Sequence, residues 1–186
     1  MPMSFFKSLH VLNLFFLIAG QTFSQGSLEY SLVNKLTSDY RDHSLNEKFL
    51  VPPRGKFTSY GEYSLACSQD ILDPTKSFNL DSLFSNPQKI EIESKAKRLK
   101  PEEIDRKLVK DQNVFFEKDN VSDLEGNRFF SLSYPIIQNG IGDKIYGFII
   151  ESSSWSGGYG GGKLLKIYRF EEDNWVLIHE TVIGIT

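Results

Sequence analysis

One cysteine, Cys67, stands alone in a chain of 186 residues. No internal disulfide is possible, so the fold is held by packing alone, which a domain of this length can manage. Histidine is nearly as scarce, with three in all and no H-x-x-x-H or C-x-x-C spacing. That removes the usual zinc patterns. An excess of one charge is missing as well. The 21 basic side chains nearly balance 24 acidic ones, for a net charge of -3. So even a balance does not point to nucleic acid or an anionic membrane surface as partner. The chain has no internal repeat, no G-x-S-x-G elbow of the kind many serine hydrolases use, and no apolar run of the ~20 residues a membrane span requires.

Aromatic surface is plentiful. The 15 Phe, eight Tyr and two Trp bury large apolar areas per residue, so a substantial core is expected and whole-chain disorder is not. The apolar share of 40% and charged share of 24% are ordinary for a globular protein, and the length suits one domain.

Residues 1–24 read as a secretory signal peptide. Lys7 supplies the positive start, and Val11 to Ala19 is an apolar stretch dented only by Asn13. Gly20 and Gln21 break it, and Thr22-Phe23-Ser24 places small residues ahead of a cut before Gln25. The stretch is roughly half the length of a membrane anchor, and no Cys lies near the cut to carry a lipid. Removing the leader takes away Lys7 and no acid, so residues 25–186 form a mildly acidic single domain.

Leu28, Leu32, Val33 and Leu36 fall at helical spacing and predict a helix at about 27–39. Pro52-Pro53-Arg54-Gly55 reads as a loop, and Phe57 to Cys67 fits either an irregular strand or a loop. Asn86 as cap and Pro87 in the first turn predict a helix at 87–99. Pro101-Glu102-Glu103, followed by Ile104 and Leu108 on one face, predicts a short helix at 101–110. From Val114 onward the pattern is sheet: Val114 to Phe116, Phe129 to Tyr134 and Lys144 to Ile150, then a hairpin of Leu164 to Phe170 and Trp175 to Ile183 turning at Glu171 to Asn174. Helices first and strands later argue for an α+β fold, with N-terminal helices packed on a C-terminal antiparallel β-meander.

Few segments carry a chemical signal. Gly157 to Lys163 satisfies the G-x-x-x-x-G-K core of a phosphate-binding loop. However, Leu164 follows where a hydroxyl should hold magnesium, and the segment runs into a strand rather than a helix N-terminus. An exported protein also meets no nucleotide pool. The segment is read as a flexible connection in which glycine supplies positive φ. Trp155 and Tyr159 are flat rings on that connection, placed to contact a sugar or a protein surface. Cys67 with His43 or His179 as base would make a nucleophile, yet its surroundings match no cysteine-hydrolase signature, and a lone cysteine is more often a small buried apolar residue. His179 alternates onto one face with Trp175 and Leu177 and reads as a histidine at the core's edge. Asp119, Asp123 and Glu125 are spoiled as a calcium loop by Val121 and Leu124.

The C-terminal half resembles small exported proteins of Bacteroidota-type bacteria. The resemblance rests on Phe23-Ser24-Gln25, on Ser133-Tyr134-Pro135-Ile136-Ile137, and on the glycine-rich segment before a hairpin holding Lys166-Ile167-Tyr168 and Trp175. It spans about 80–180 and implies an exported, periplasmic or extracellular location and a coherent fold. No activity and no catalytic residue come with it. The sequence thus assigns no catalytic, cofactor or metal residue. It points to a non-enzymatic binding or interaction module, with a protein or glycan as partner and Trp155 and Tyr159 as ligand contacts. A periplasmic hydrolase is the alternative.

Overall fold

The computed structural model describes residues 28–39, 44–52, 59–60, 63–64, 78–114, 128–155 and 161–185. Alternation in the C-terminal half builds the frame. Strand β4 (Arg128–Leu132) and strand β5 (Ile136–Asn139) lie end to end along the same side of β6 (Ile145–Trp155). On its other side β6 pairs with β7 (Gly162–Glu171), which pairs with β8 (Asn174–Ile185). All of these pairings are antiparallel. The turn between β7 and β8 is Glu172-Asp173, with φ of 47° and 61°, a two-residue geometry whose twist suits a hairpin.

The sheet is not a pure antiparallel meander. Strand β1 (Ser44–Leu45) adds to β4 in parallel, with Ser44 opposite Phe129 and Leu45 opposite Phe130. The α+β class holds, but the N-terminal half donates a strand as well as helices, and the sheet is mixed. A separate pair, β2 (Ser59–Tyr60) with β3 (Tyr63–Ser64), is a small antiparallel sheet in the segment whose sequence fits both strand and loop.

Residues 28–39 form helix α1, and Asn86–Arg98 form α2. They pack on opposite faces of the sheet. Leu32, Val33 and Leu36 of α1 join Phe130, Leu132, Ile149, Tyr168 and Trp175. Ile92 of α2, with Leu80 and Phe84, joins Tyr146, Phe148, Ile150, Leu165 and Ile167. The odd and even residues of β6 and β7 thus feed two separate cores, as a period of two demands when both faces are covered. Gly147 lets α1 come close: a Cβ there would lie 2.6 Å from Leu32 Cδ2. Trp175 Nε1 donates to Ser31 Oγ at 3.1 Å and ties the last hairpin to α1.

Four expectations need correction. Helix α2 is capped by Ser85, not Asn86; the Gln88 side chain accepts from the Ser85 backbone N–H at 2.8 Å and from its hydroxyl at 2.9 Å, the arrangement of a capping box. No helix spans 101–110. Residues 102–104 instead extend beside 47–49, with Phe49 N–H donating to Glu102 O and Ile104 N–H to Glu47 O. Only a 3₁₀ turn, Arg106–Leu108, follows, capped by Asp105. Val114 closes another 3₁₀ turn, Gln112–Val114, rather than opening a strand; Phe115 and Phe116 lie outside the described residues. Finally, His179 does not share a face with Trp175 and Leu177. The β7–β8 register slips between Ile167 and Tyr168, and this bulge turns His179 to the α2 side. There it is wholly buried and stacked on Phe78 at 4.0 Å.

Candidate functional site

The change from β4 to β5 makes a corner. Ser133 leaves the ladder but keeps both bonds to Ile150: its N–H donates to Ile150 O at 2.8 Å, and its hydroxyl accepts from Ile150 N–H at 2.9 Å. The side chain replaces a backbone acceptor, so the chain bends through Tyr134-Pro135 without stranding a buried amide. Proline is tolerated here because the position lies between strands.

At this corner the two helices, which sit on opposite faces, both reach the edge of the sheet. Between them lies a cleft of about 290 Å³, lined by Glu29 of α1, by Lys95, Arg98 and Leu99 at the end of α2, and by Tyr134 to Ile137. Glu29 falls on the apolar stripe of α1, three and four residues before Leu32 and Val33, so the helix that buries the stripe also buries the acid. Glu29 is 9% exposed, and its Oε2 is cut off from solvent with no hydrogen-bond partner. Burial pushes its carboxyl above the usual carboxylate range, against the opposing pull of a backbone hydrogen bond and the Lys95 charge.

Lys95 is fully engaged. Its Nζ donates to Ile137 O and to Gln138 Oε1, each at 2.9 Å, and pairs with Glu91 at 3.0 Å. Gln138 returns a bond to Glu91 at 3.1 Å, and the Lys95 and Gln138 bonds hold the Glu91 carboxyl below its usual range. Arg98 spends Nε and Nη2 on Ser94 and is exposed. Tyr134 packs edge-on against Phe49 at 5.2 Å. Its phenol is pushed up to about 12, chiefly by burial and then by the charge of Glu29. The result is a small pocket with one buried, unsatisfied acid, one cation with spare donors and an aliphatic wall.

No family model, curated protein or solved structure matches the chain. The geometry of the site is therefore the ground for any functional reading.

Two other places compare poorly with it. A broader depression of about 630 Å³ lies at the β7–β8 turn, lined by Glu171, Glu172, Asn174 and Val176. All four are exposed, so nothing there is held ready for a ligand. On the α1 face of the sheet, Lys166 Nζ pairs with Glu151 at 2.7 Å and Glu180 at 3.4 Å, all three side chains 15% exposed or less. Burial alone would lower the Lys166 ammonium, but the charge and hydrogen bond of Glu151 outweigh it and leave the value raised. This is a satisfied buried ion cluster.

Most of the residues singled out from sequence lie outside the described residues. Trp155 ends β6 opposite Arg128; its side chain and the whole of Tyr159 lie outside the described residues, as do Cys67, His43, Asp119, Asp123 and Glu125. Lys163 and Leu164 are in β7, so the glycine-rich segment does lead into a strand. Among the described residues no group of three metal-ligating side chains forms, and no helix is long and apolar enough to cross a membrane. Sequence reasoning passed over Glu29. The signal was present: an acid at a stripe position of an amphipathic helix is either unpaired and functional or paired in the core.

Proposed function

We propose that this chain is an exported, non-enzymatic binding module whose ligand enters the cleft at the β4–β5 corner. The observation that carries this reading is Glu29 Oε2, buried with no hydrogen-bond partner on the wall of that cleft. A polar atom in that state costs stability, so it calls for an explanation, and a ligand that completes it is the one proposed here. The cleft is at the small end of ligand pockets, roughly 300–1,000 Å³.

Solution NMR of the protein against a panel of amino acids, sugars and organic acids tests this. Shifts confined to Tyr134, Ile136, Ile137 and Leu99 are expected for the ligand that fits. If no compound moves those resonances, the cleft is not a binding site. Trp155 and Tyr159 belong to the same proposal as contacts for a protein or glycan partner. Replacing both with Ala should weaken such a partner.

A periplasmic hydrolase is the second reading, supported by the raised carboxyl of Glu29, the state a general acid requires. It predicts turnover that Glu29→Gln abolishes, and an ester, amide and glycoside substrate screen with no such turnover rejects it.

A further inference from the structure

The same cleft constrains the chemistry of its ligand. Glu29 lines its inner wall, nine-tenths buried, with an Oε2 that is sealed from solvent and has no hydrogen-bond partner. The terminal torsion of a Glu side chain is soft, so that oxygen turns toward an arriving donor at small cost. Its rim offers the exposed guanidinium of Arg98, with only Nε and Nη2 engaged. Lys95 contributes its charge but no free N–H, because its three donors already hold Ile137, Gln138 and Glu91. Leu99, Pro135 and Ile136 supply an aliphatic surface.

A lone organic cation would suit Glu29 but would be repelled by Lys95 and Arg98. A lone anion would suit Arg98 and leave the inner oxygen of Glu29 without a donor. A molecule that carries both charges and an apolar tail meets every feature. Resting on the binding reading above, we propose that the cleft takes a free α-amino acid with an aliphatic side chain. Its ammonium donates to Glu29, its carboxylate accepts from Arg98, and its side chain lies on Leu99, Pro135 and Ile136.

Isothermal titration of the purified protein with L-leucine, leucinamide and isocaproate tests the assignment, since the two analogues each lack one charge. Leucine should bind one-to-one, with each analogue weaker by about tenfold or more, the scale of one charge-assisted hydrogen bond. Glu29→Gln should reduce leucine to the level of isocaproate and leave isocaproate no weaker than in the parent. Arg98→Gln should reduce leucine to the level of leucinamide and leave leucinamide no weaker than in the parent; being exposed, this variant keeps the test available should Glu29→Gln fail to fold. The assignment is overturned if leucine gives no heat at millimolar concentration, if either analogue binds as well as leucine, or if both folded variants keep the parent affinity for leucine. Should leucine fail while another compound shifts the cleft resonances in the NMR panel, only this assignment falls. Should nothing shift them, the binding reading falls with it.

Discussion

Replacing Gly147 with Ala tests how closely α1 is pressed onto the sheet. The added Cβ would lie 2.6 Å from Leu32 Cδ2 and 3.1 Å and 3.3 Å from two carbons of the Trp175 ring. Carbon atoms rest at about 3.5–4.0 Å, so Leu32 must retreat by about 1 Å. It has nowhere open to go, because it is 0% exposed and set among Val33, Leu36 and Ile149. Overpacking of this kind costs about 1–3 kcal/mol. Alanine in a strand regains about 0.5–1 kcal/mol through the unfolded chain, which leaves a net loss of up to about 2.5 kcal/mol. For a domain of this size each kcal/mol lowers Tm by about 2–4 °C, so thermal melts followed by far-UV circular dichroism should fall by about 5 °C. Urea unfolding should show a lower midpoint at unchanged slope. The reasoning is sharpened by Leu32→Ala, which itself costs about 2–5 kcal/mol but clears the space above residue 147. In that background Gly147→Ala should be nearly neutral, with a coupling of about 1 kcal/mol or more between the two sites. A Gly147→Ala variant that melts above the parent, or a cost that persists undiminished beside Leu32→Ala, would refute the close approach.

Other outcomes follow from the polar groups. Glu29→Gln should raise stability at neutral pH, since an amide is less costly to bury than a carboxylate. The Glu29 value is raised on folding, so its contribution is fully present below the ordinary 4.5 and is lost as pH rises through the elevated folded value. The advantage of Gln should accordingly fade in acid, and melting curves from neutral to acidic pH check both points. Lys166→Met strands Glu151 and Glu180 in the interior and should cost about 3–5 kcal/mol in urea unfolding. In the parent, the raised Lys166 keeps its stabilising share below 10.5 and loses it as pH climbs through its higher folded value. Ser133→Ala leaves Ile150 N–H without its acceptor and should cost about 1–3 kcal/mol, with faster amide exchange at Ile150 as the local sign.

What was legible in the sequence was periodic. The stripe Leu32-Val33-Leu36 marks α1 because one helix face is buried, and the alternation after residue 144 marks β6 to β8 because each strand feeds two cores. Several of the failures involve pairings distant in the chain. Ile104 and Leu108 have helical spacing, yet the backbone of 102–104 is claimed by 47–49, and Leu108 stays 49% exposed. Pro135 reads as the end of a strand, which hid β5 just beyond it. The bulge that reorients His179 sits opposite a register slip that no local pattern records. The cleft was illegible for the same reason: its parts lie at 29, 95–99 and 134–137. Only the segment Ser133 to Ile137 stood out beforehand, as pattern without chemistry.

The bond from Trp175 to Ser31 spans 144 residues of chain. A ribosome delivers α1 before any of the sheet, and the hairpin that completes the shelter of its oily stripe arrives last. Until the final hairpin emerges, Leu32, Val33 and Leu36 lack Tyr168 and Trp175, the part of their core that is made last. A chain truncated before residue 175 should therefore hold this helix less firmly, however perfect the sequence of that helix.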